Sequence, residues 1–256
     1  MSGPIFLLSD FGLRDSYVAQ MKAVLYAGTP TGTAFIDITH DVAPGDVPEG
    51  AFHLFAAAPH LPAGSVVLAV VDPGVGTDRR AVAAHSGGRI FVGPDNGLFG
   101  LLPVDLAWEL PPPPSGSSRT FHGRDVFAPA AARLATDPGW TRSLLALDPD
   151  SIRGSVEAPS CSADGSIQAT VMHVDRFGNV ILWLRPEETG AVGEQLLVMP
   201  DGSRHHLSPA GSYAGGEGLL LLTGSLGLME IALDGTSACW FLGVSRGDRL
   251  GLVPRP

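Results

Sequence analysis

Four short polar clusters hold the side chains able to do chemistry. In Ser9-Asp10-Phe11-Gly12-Leu13-Arg14-Asp15, two carboxylates stand five positions apart, and a carboxylate in such a loop can grip a diol or an ammonium group. Asp72-Pro73-Gly74-Val75-Gly76-Thr77-Asp78-Arg79 puts an arginine seven residues after an aspartate. Its two central glycines let backbone approach a ligand and let Arg79 fold back toward Asp72. Phe121-His122-Gly123-Arg124-Asp125 sets a histidine, the side chain that titrates nearest neutrality, just before a helical stretch. Asp175-Arg176-Phe177-Gly178-Asn179 is a polar turn between two apolar runs. Each cluster also has a plainer reading: a helix cap, a surface ion pair, a structural histidine at a helix start, an ordinary hairpin.

Familiar cofactor signatures are missing. The first apolar run is not followed by GxGxxG, and there is no P-loop, HExxH or GxSxG. Asp10-Phe11-Gly12 matches the kinase DFG triplet, but no kinase elements precede it. Cys161 and Cys239 lie in no CxxC or His/Cys pattern, so no zinc site is expected and two reduced thiols are. His205-His206 has no further ligands near it in sequence, and Gly93-Pro94-Asp95-Asn96-Gly97 reads as a turn.

These clusters sit at the ends of predictable elements. Ile5 to Leu8 is a continuous apolar run, the mark of a strand buried on both faces, and it ends at Ser9-Asp10. Asp15 or Ser16 can cap a helix over Tyr17 to Ala27, where Val18, Met21, Val24 and Leu25 recur at helical spacing. A strand over Ala34 to Ile38, a helix from about Pro48 to Ala58 and a strand over Val66 to Val71 complete an alternating α/β pattern. Open sheets of this kind bind ligands beyond the carboxyl ends of their strands, which puts Asp10 and Asp72 on one rim. Val82 to Ala84 and Ile90 to Val92 form two strands about a Ser-Gly-Gly turn. Pro111 to Ser118 is a loop and Val126 to Leu134 a helix.

After about residue 150 the texture changes. Ile167 to Val174, Val180 to Leu184, Leu196 to Met199, Leu219 to Leu222, Leu228 to Leu233 and Leu250 to Val253 read as turn-separated strands. The expected fold class is therefore α/β: an N-terminal α/β domain with a mainly parallel sheet, residues 1–155, and a smaller C-terminal all-β barrel domain, residues 165–256. The boundary falls in the polar stretch from Asp148 to Asp164. The 256 residues, 45% hydrophobic and 16% charged, suffice for two such cores. A formal charge of -10 argues against a nucleic-acid partner. The N-terminus has no basic region and only a four-residue apolar run, so a cytoplasmic protein with no membrane partner is expected.

Taken in order, the clusters resemble the SAM (S-adenosyl-L-methionine) hydroxide adenosyltransferases, adenosine-forming SAM hydrolases related to fluorinase and chlorinase. The resemblance runs from Leu8-Ser9-Asp10-Phe11-Gly12 to Gly224-Ser225-Leu226-Gly227-Leu228-Met229-Glu230-Ile231-Ala232. It implies a catalytic triad of Asp72, Arg79 and His122. It further implies that Asp10 holds the ribose diol and that Asp15 and Asp175 lie near the methionine ammonium. Asn179 and Tyr213 would contact adenine, and Ser225 with the backbone of Leu226 would form the carboxylate pocket. It implies a homotrimer whose sites lie between the N-terminal domain of one subunit and the C-terminal domain of the next. The chain departs from the family at Gly45, where an aromatic residue is frequent, and in the short glycine-rich loop after Tyr213.

The implied reaction is nucleophilic substitution at ribose C5′ by water or hydroxide, giving adenosine and L-methionine. SAM is the substrate, and no cofactor or metal is implied. Arg79 can stabilise a hydroxide, or His122 can take a proton, with Asp72 orienting the pair. A SAM-dependent halogenase and a non-catalytic SAM or adenosine binder are the alternatives. The halogenases carry an extra loop between the two strands that only His85 to Arg89 separate here, and the triad positions hold the hydroxide set.

Overall fold

The computed structural model describes residues 3–152, 154, 158–189, 193–213 and 216–254. The chain divides into two compact units, Met1–Ser155 and Val156–Pro256. The first contains, in chain order, β1 (Ile5–Ser9), α1 (Tyr17–Gly28), β2 (Phe35–Thr39), α2 (Val47–Ala57), β3 (Val66–Val70), β4 (Ala81–Ser86), β5 (Arg89–Pro94), β6 (Leu106–Glu109), α3 (Ala128–Thr136) and β7 (Leu145–Leu147). The strands form one sheet in the order β2-β1-β3-β5-β4-β6-β7. The pairings from β2 to β5 are parallel. Those from β5 through β4 and β6 to β7 are antiparallel, so the sheet is mixed.

Every residue of β1 and β3 is buried, because the sheet is covered on both faces. Ile5, Leu7, Val66, Leu68 and Val70 pack with Met21 and Leu25 of α1 and with Leu134 of α3. The alternate residues Phe6, Leu8, Val67 and Ala69 pack with Val47 and Leu54 of α2 on the other side. These two strands are thus the best-anchored part of the sheet; Asp10 follows the end of β1 directly, and Asp72 follows the end of β3 after Val71. Helix α2 is started by Asp46, whose carboxylate accepts from Glu49 N. The helix expected from Val126 begins instead as a single π-helical turn, Gly123–Phe127, that runs into α3.

The second unit contains β8 (Ser160–Cys161), β9 (Ile167–Val174), β10 (Val180–Leu182), β11 (Gln195–Val198), β12 (Arg204–Pro209), β13 (Leu219–Thr223), β14 (Met229–Leu233), the short helix α4 (Ala238–Leu242) and β15 (Arg249–Pro254). Seven strands close into a barrel, because β10 pairs with both β14 and β9, and β8 adds to β9 from outside. The interior follows the two-residue period of a strand: Ala169 and Val171, Leu219 and Leu221, Met229 and Ile231, Leu250 and Leu252. His205 and His206 lie within β12, which pairs with β11 across the turn at 199–203. No helix among the described residues is long and apolar enough to cross a membrane.

Candidate active site

In the first unit the fold brings Asp72, Arg79 and His122 together. Arg79 folds back across the loop: its Nε donates to both carboxylate oxygens of Asp72, at 2.9 and 3.0 Å, and its Nη2 also reaches Asp72. The same Nη2 lies 2.9 Å from His122 Nδ1. The Arg79 and Asp72 side chains are only 7% and 5% exposed, and the guanidinium lies 5.1 Å from the centre of the Phe127 ring. Removing one partner of such a pair strands a buried charge, at a cost of about 3–5 kcal/mol.

A guanidinium can only donate, so His122 Nδ1 must present its lone pair. Its proton, in the neutral ring, is then on Nε2. Burial, followed by the Arg79 charge, pushes the His122 pKa down from the ordinary 6.5, against smaller opposing effects of Asp72 and Asp125. Arg79 and His122 line a cavity of about 520 Å³, together with Thr77, Arg80, Glu109 and Val126.

Loop packing places these side chains. The loop from Asp72 to Arg79 folds on itself through Thr77, whose N–H and hydroxyl both bond Gly74 O. Gly76, at φ +77°, lies so close to Arg119 O that a Cβ would collide with it, which keeps this loop against the segment leading to His122. That segment is tied down by Ser118 N donating to Asp125 Oδ2 and by Arg124 bonding both Asp125 and Gln20 of α1.

Asp10 leaves β1 on the same rim. Its Oδ2 accepts from Gly45 N at 2.8 Å, so the Gly45 backbone supplies a donor to this carboxylate. Burial raises the Asp10 pKa. The Gly45 bond opposes that, and the nearby Asp72 charge adds to it. Asp15 is exposed just before α1, and the triad bonds run without it. A second cavity, about 480 Å³, opens between the Asp10 and His122 loops and is lined by Phe11, Tyr17, Gln20, Ser118, Phe121 and Arg124. Its three aromatic rings pack together at 5.1 to 5.6 Å between centres.

The second unit gathers its own set. Asp175 Oδ1 accepts from the N–H groups of Phe177 and Asn179, and its Oδ2 accepts from Asn179 Nδ2 at 3.0 Å. Asn179 is thereby fixed with its amide oxygen turned away from Asp175. Tyr213 donates its hydroxyl to Glu230 at 2.8 Å. Ser225 and Leu226 form the tip of the β13–β14 hairpin, closed by Gly224 N to Leu228 O at 2.8 Å. Ala214 and Gly215, in the loop after Tyr213, lie outside the described residues.

Comparison with known proteins assigns both units to one family. Residues 5–142 match the SAM hydroxide adenosyltransferase N-terminal domain, and residues 169–251 match the C-terminal domain of the same family. The chain belongs to the SAM hydroxide adenosyltransferase family. An (R)-S-adenosyl-L-methionine hydrolase from Salinispora tropica is 44% identical, over 96% of each chain. A fluorinase from an Actinoplanes species is 28% identical over 72% of each. The crystal structure of an uncharacterised protein from Thermotoga maritima superposes with a TM-score of 0.88 at 29% identity, covering 98% of this chain and all of that one.

Several side chains that shape this adenosyltransferase-family site were not singled out from sequence. Asp95 and Asn96 look like turn residues, yet Asp95 is buried and pairs with Arg80, and Asn96 donates to Val71 O at 2.9 Å. They brace the residues next to Arg79 and Asp72. His40 is buried behind Asp10, with Nδ1 2.7 Å from Ser9 Oγ and Nε2 3.1 Å from Asp37. Glu230 is a buried acid in an apolar strand. The available signal was a charged or polar residue where the pattern calls for an apolar one, at Glu230 and at His40 beside a strand end.

Proposed function

We propose that this protein hydrolyses SAM: water or hydroxide attacks ribose C5′, the C5′–S bond breaks, and adenosine and L-methionine leave. The observation that carries this reading is the buried Asp72–Arg79–His122 array opening on a cavity. The sulfonium takes the bonding pair and departs as a neutral thioether, so the leaving group needs no acid, and the chemistry calls for no metal or cofactor. What the reaction needs is a held nucleophile and a held ribose. Arg79 offers positive charge to a hydroxide. With Nδ1 occupied by Arg79, the His122 proton sits on Nε2, so His122 offers a donor, which favours stabilisation of a bound hydroxide over proton removal by Nδ1. Asp72 holds Arg79 in place, and Asp10 is set to accept the ribose hydroxyls. The proton released overall passes to solvent.

The name of the Salinispora relative specifies the (R) configuration at sulfur, and the same epimer is the proposed substrate here. The halogenase alternative is disfavoured by the β4–β5 hairpin, in which only Gly87 and Gly88 separate the strands. The triad argues against a mere binder. We further propose a cytoplasmic homotrimer. Its support is that each unit carries its own half of the site residues, and that Phe177 and Trp240 are 79% and 81% exposed in the second unit.

The test is incubation of separated SAM epimers in ¹⁸O-water, with and without chloride, followed by product analysis. The expected products are adenosine labelled at its 5′ oxygen and unlabelled methionine, from the (R) epimer and without need of chloride. Labelled homoserine with methylthioadenosine would report attack at another carbon and overturn the reading, as would chlorinated nucleoside as the main product.

A further inference from the structure

Glu230 is out of place for a strand of this barrel. Its neighbours Met229 and Ile231 point into the interior, so Glu230 lies on the outer face, yet only 5% of it is exposed. Leu220, Leu222 and Ala232 make the nearby outer surface apolar. A carboxylate there gives up hydration that a leucine would not miss, so its retention calls for a partner. It has two. Its Oε1 accepts the Tyr213 hydroxyl at 2.8 Å. Its Oε2 lies against Gly224, where a Cβ would collide with it.

We infer that Glu230 is a positioning residue for substrate binding: one buried carboxylate fixes the ring of Tyr213 and abuts the hairpin that presents Ser225 and Leu226, holding the two as one unit. This rests on the proposed reading of Tyr213 as an adenine platform and of that hairpin as the carboxylate pocket. Tyr213 is half exposed, so its own packing leaves the ring free to swing, and an unfixed platform spends binding energy on ordering. The bond is well suited to the task. Burial, the Glu230 bond and the charges of Glu230 and Asp175 push the Tyr213 pKa up to about 12, so the phenol keeps its proton and donates throughout the working range. Burial raises the Glu230 pKa, the Tyr213 bond opposes that and the Asp175 charge adds to it; glutamine in its place keeps a carbonyl acceptor of the same shape.

The experiment compares E230L, E230Q, Y213F, the E230L/Y213F double variant and Y213A by steady-state kinetics on SAM, with thermal melting to verify the barrel. E230L and Y213F should each raise KM about tenfold while kcat changes far less, the size expected for losing a hydrogen bond to a charged acceptor. The double variant should be no worse than either single one, and E230Q should recover most of what E230L loses. Y213F removes a single oxygen atom and carries the test if E230L fails to fold. If Y213A raises KM but Y213F and E230L do not, the platform stands and the positioning role is overturned. Additive losses in the double variant overturn it as well. If Y213A leaves KM unchanged, both the role and the reading of Tyr213 beneath it fall.

Discussion

Protonating His122 would set a second cation against the Arg79 guanidinium and remove the lone pair that Arg79 bonds. The neutral ring, with its one proton on Nε2, is therefore the form the proposed reaction uses, and the lowered pKa of His122 extends its range below the ordinary histidine value. The sign follows directly. Activity should be full above the ordinary histidine value and fall as pH drops through the lower folded value, giving kcat an acid limb centred below 6.5. Asp10 is raised above its usual 3.8 by burial, and its protonation should appear in KM, through loss of the proposed diol acceptor. A pH profile of kcat for the parent and for H122Q checks this. The residual activity of H122Q should lack the limb. A limb at or above 6.5, or one that survives in H122Q, would show that another group controls the step. The residue types and the seven-residue spacing from Asp72 to Arg79 were readable from sequence, but the tautomer of His122 was not. It depends on which nitrogen Arg79 reaches, and packing around Phe127 and the Gly76–Arg119 contact decides that.

Among the elements, the β5 turn illustrates what a local reading leaves out. Gly93 to Gly97 has ordinary turn composition, and turn chemistry accounts for its shape. Only the sheet order shows why its polar residues matter, since β5 lies beside both β3 and β4. Asn96 Nδ2 holds Val71 O, one residue before Asp72. Asp95 N bonds Arg80 O while its carboxylate bonds the Arg80 side chain, one residue after Arg79. Asn96→Asp keeps the size and removes the donor. It should lower kcat about ten- to a hundredfold by letting Asp72 drift, with KM for SAM little changed. Equal losses in kcat and KM would mean that the turn supports the whole fold and not the triad in particular. The strands and helices with strong periodicity, β1, α1, β3 and β9, were predicted within a residue or two, because burial on one or both faces writes itself into the apolar pattern. The short, half-exposed β6 and β7, and β12 with its two histidines, leave no such pattern and appear only once neighbouring strands supply the pairing.

The proposed site residues divide between the two units: Asp10, Asp72, Arg79 and His122 in one, Asn179, Tyr213, Ser225 and Leu226 in the other. The proposed trimer assigns the first set of one subunit to the second set of its neighbour. A head-to-tail contact of this kind closes on itself under cyclic symmetry, and three subunits give three equivalent sites. Phe177, beside the Asp175–Asn179 turn, and Trp240 of α4, joined to that turn by Cys239 N bonding Gly178 O, would then be covered by the next subunit, which accounts for large apolar side chains left bare on a single chain. Co-expression of Asp72→Asn with Asn179→Ala tests the shared site directly. Each variant alone should be nearly inactive, since every site lacks one half. In mixed trimers, some sites join the intact first unit of the Asn179 variant to the intact second unit of the Asp72 variant, and activity should return in proportion to the mixing. Trimers shown by native mass spectrometry to be mixed, yet still inactive, would place both halves of each site in a single subunit. A fully active monomer in light scattering would remove the need for the neighbour altogether.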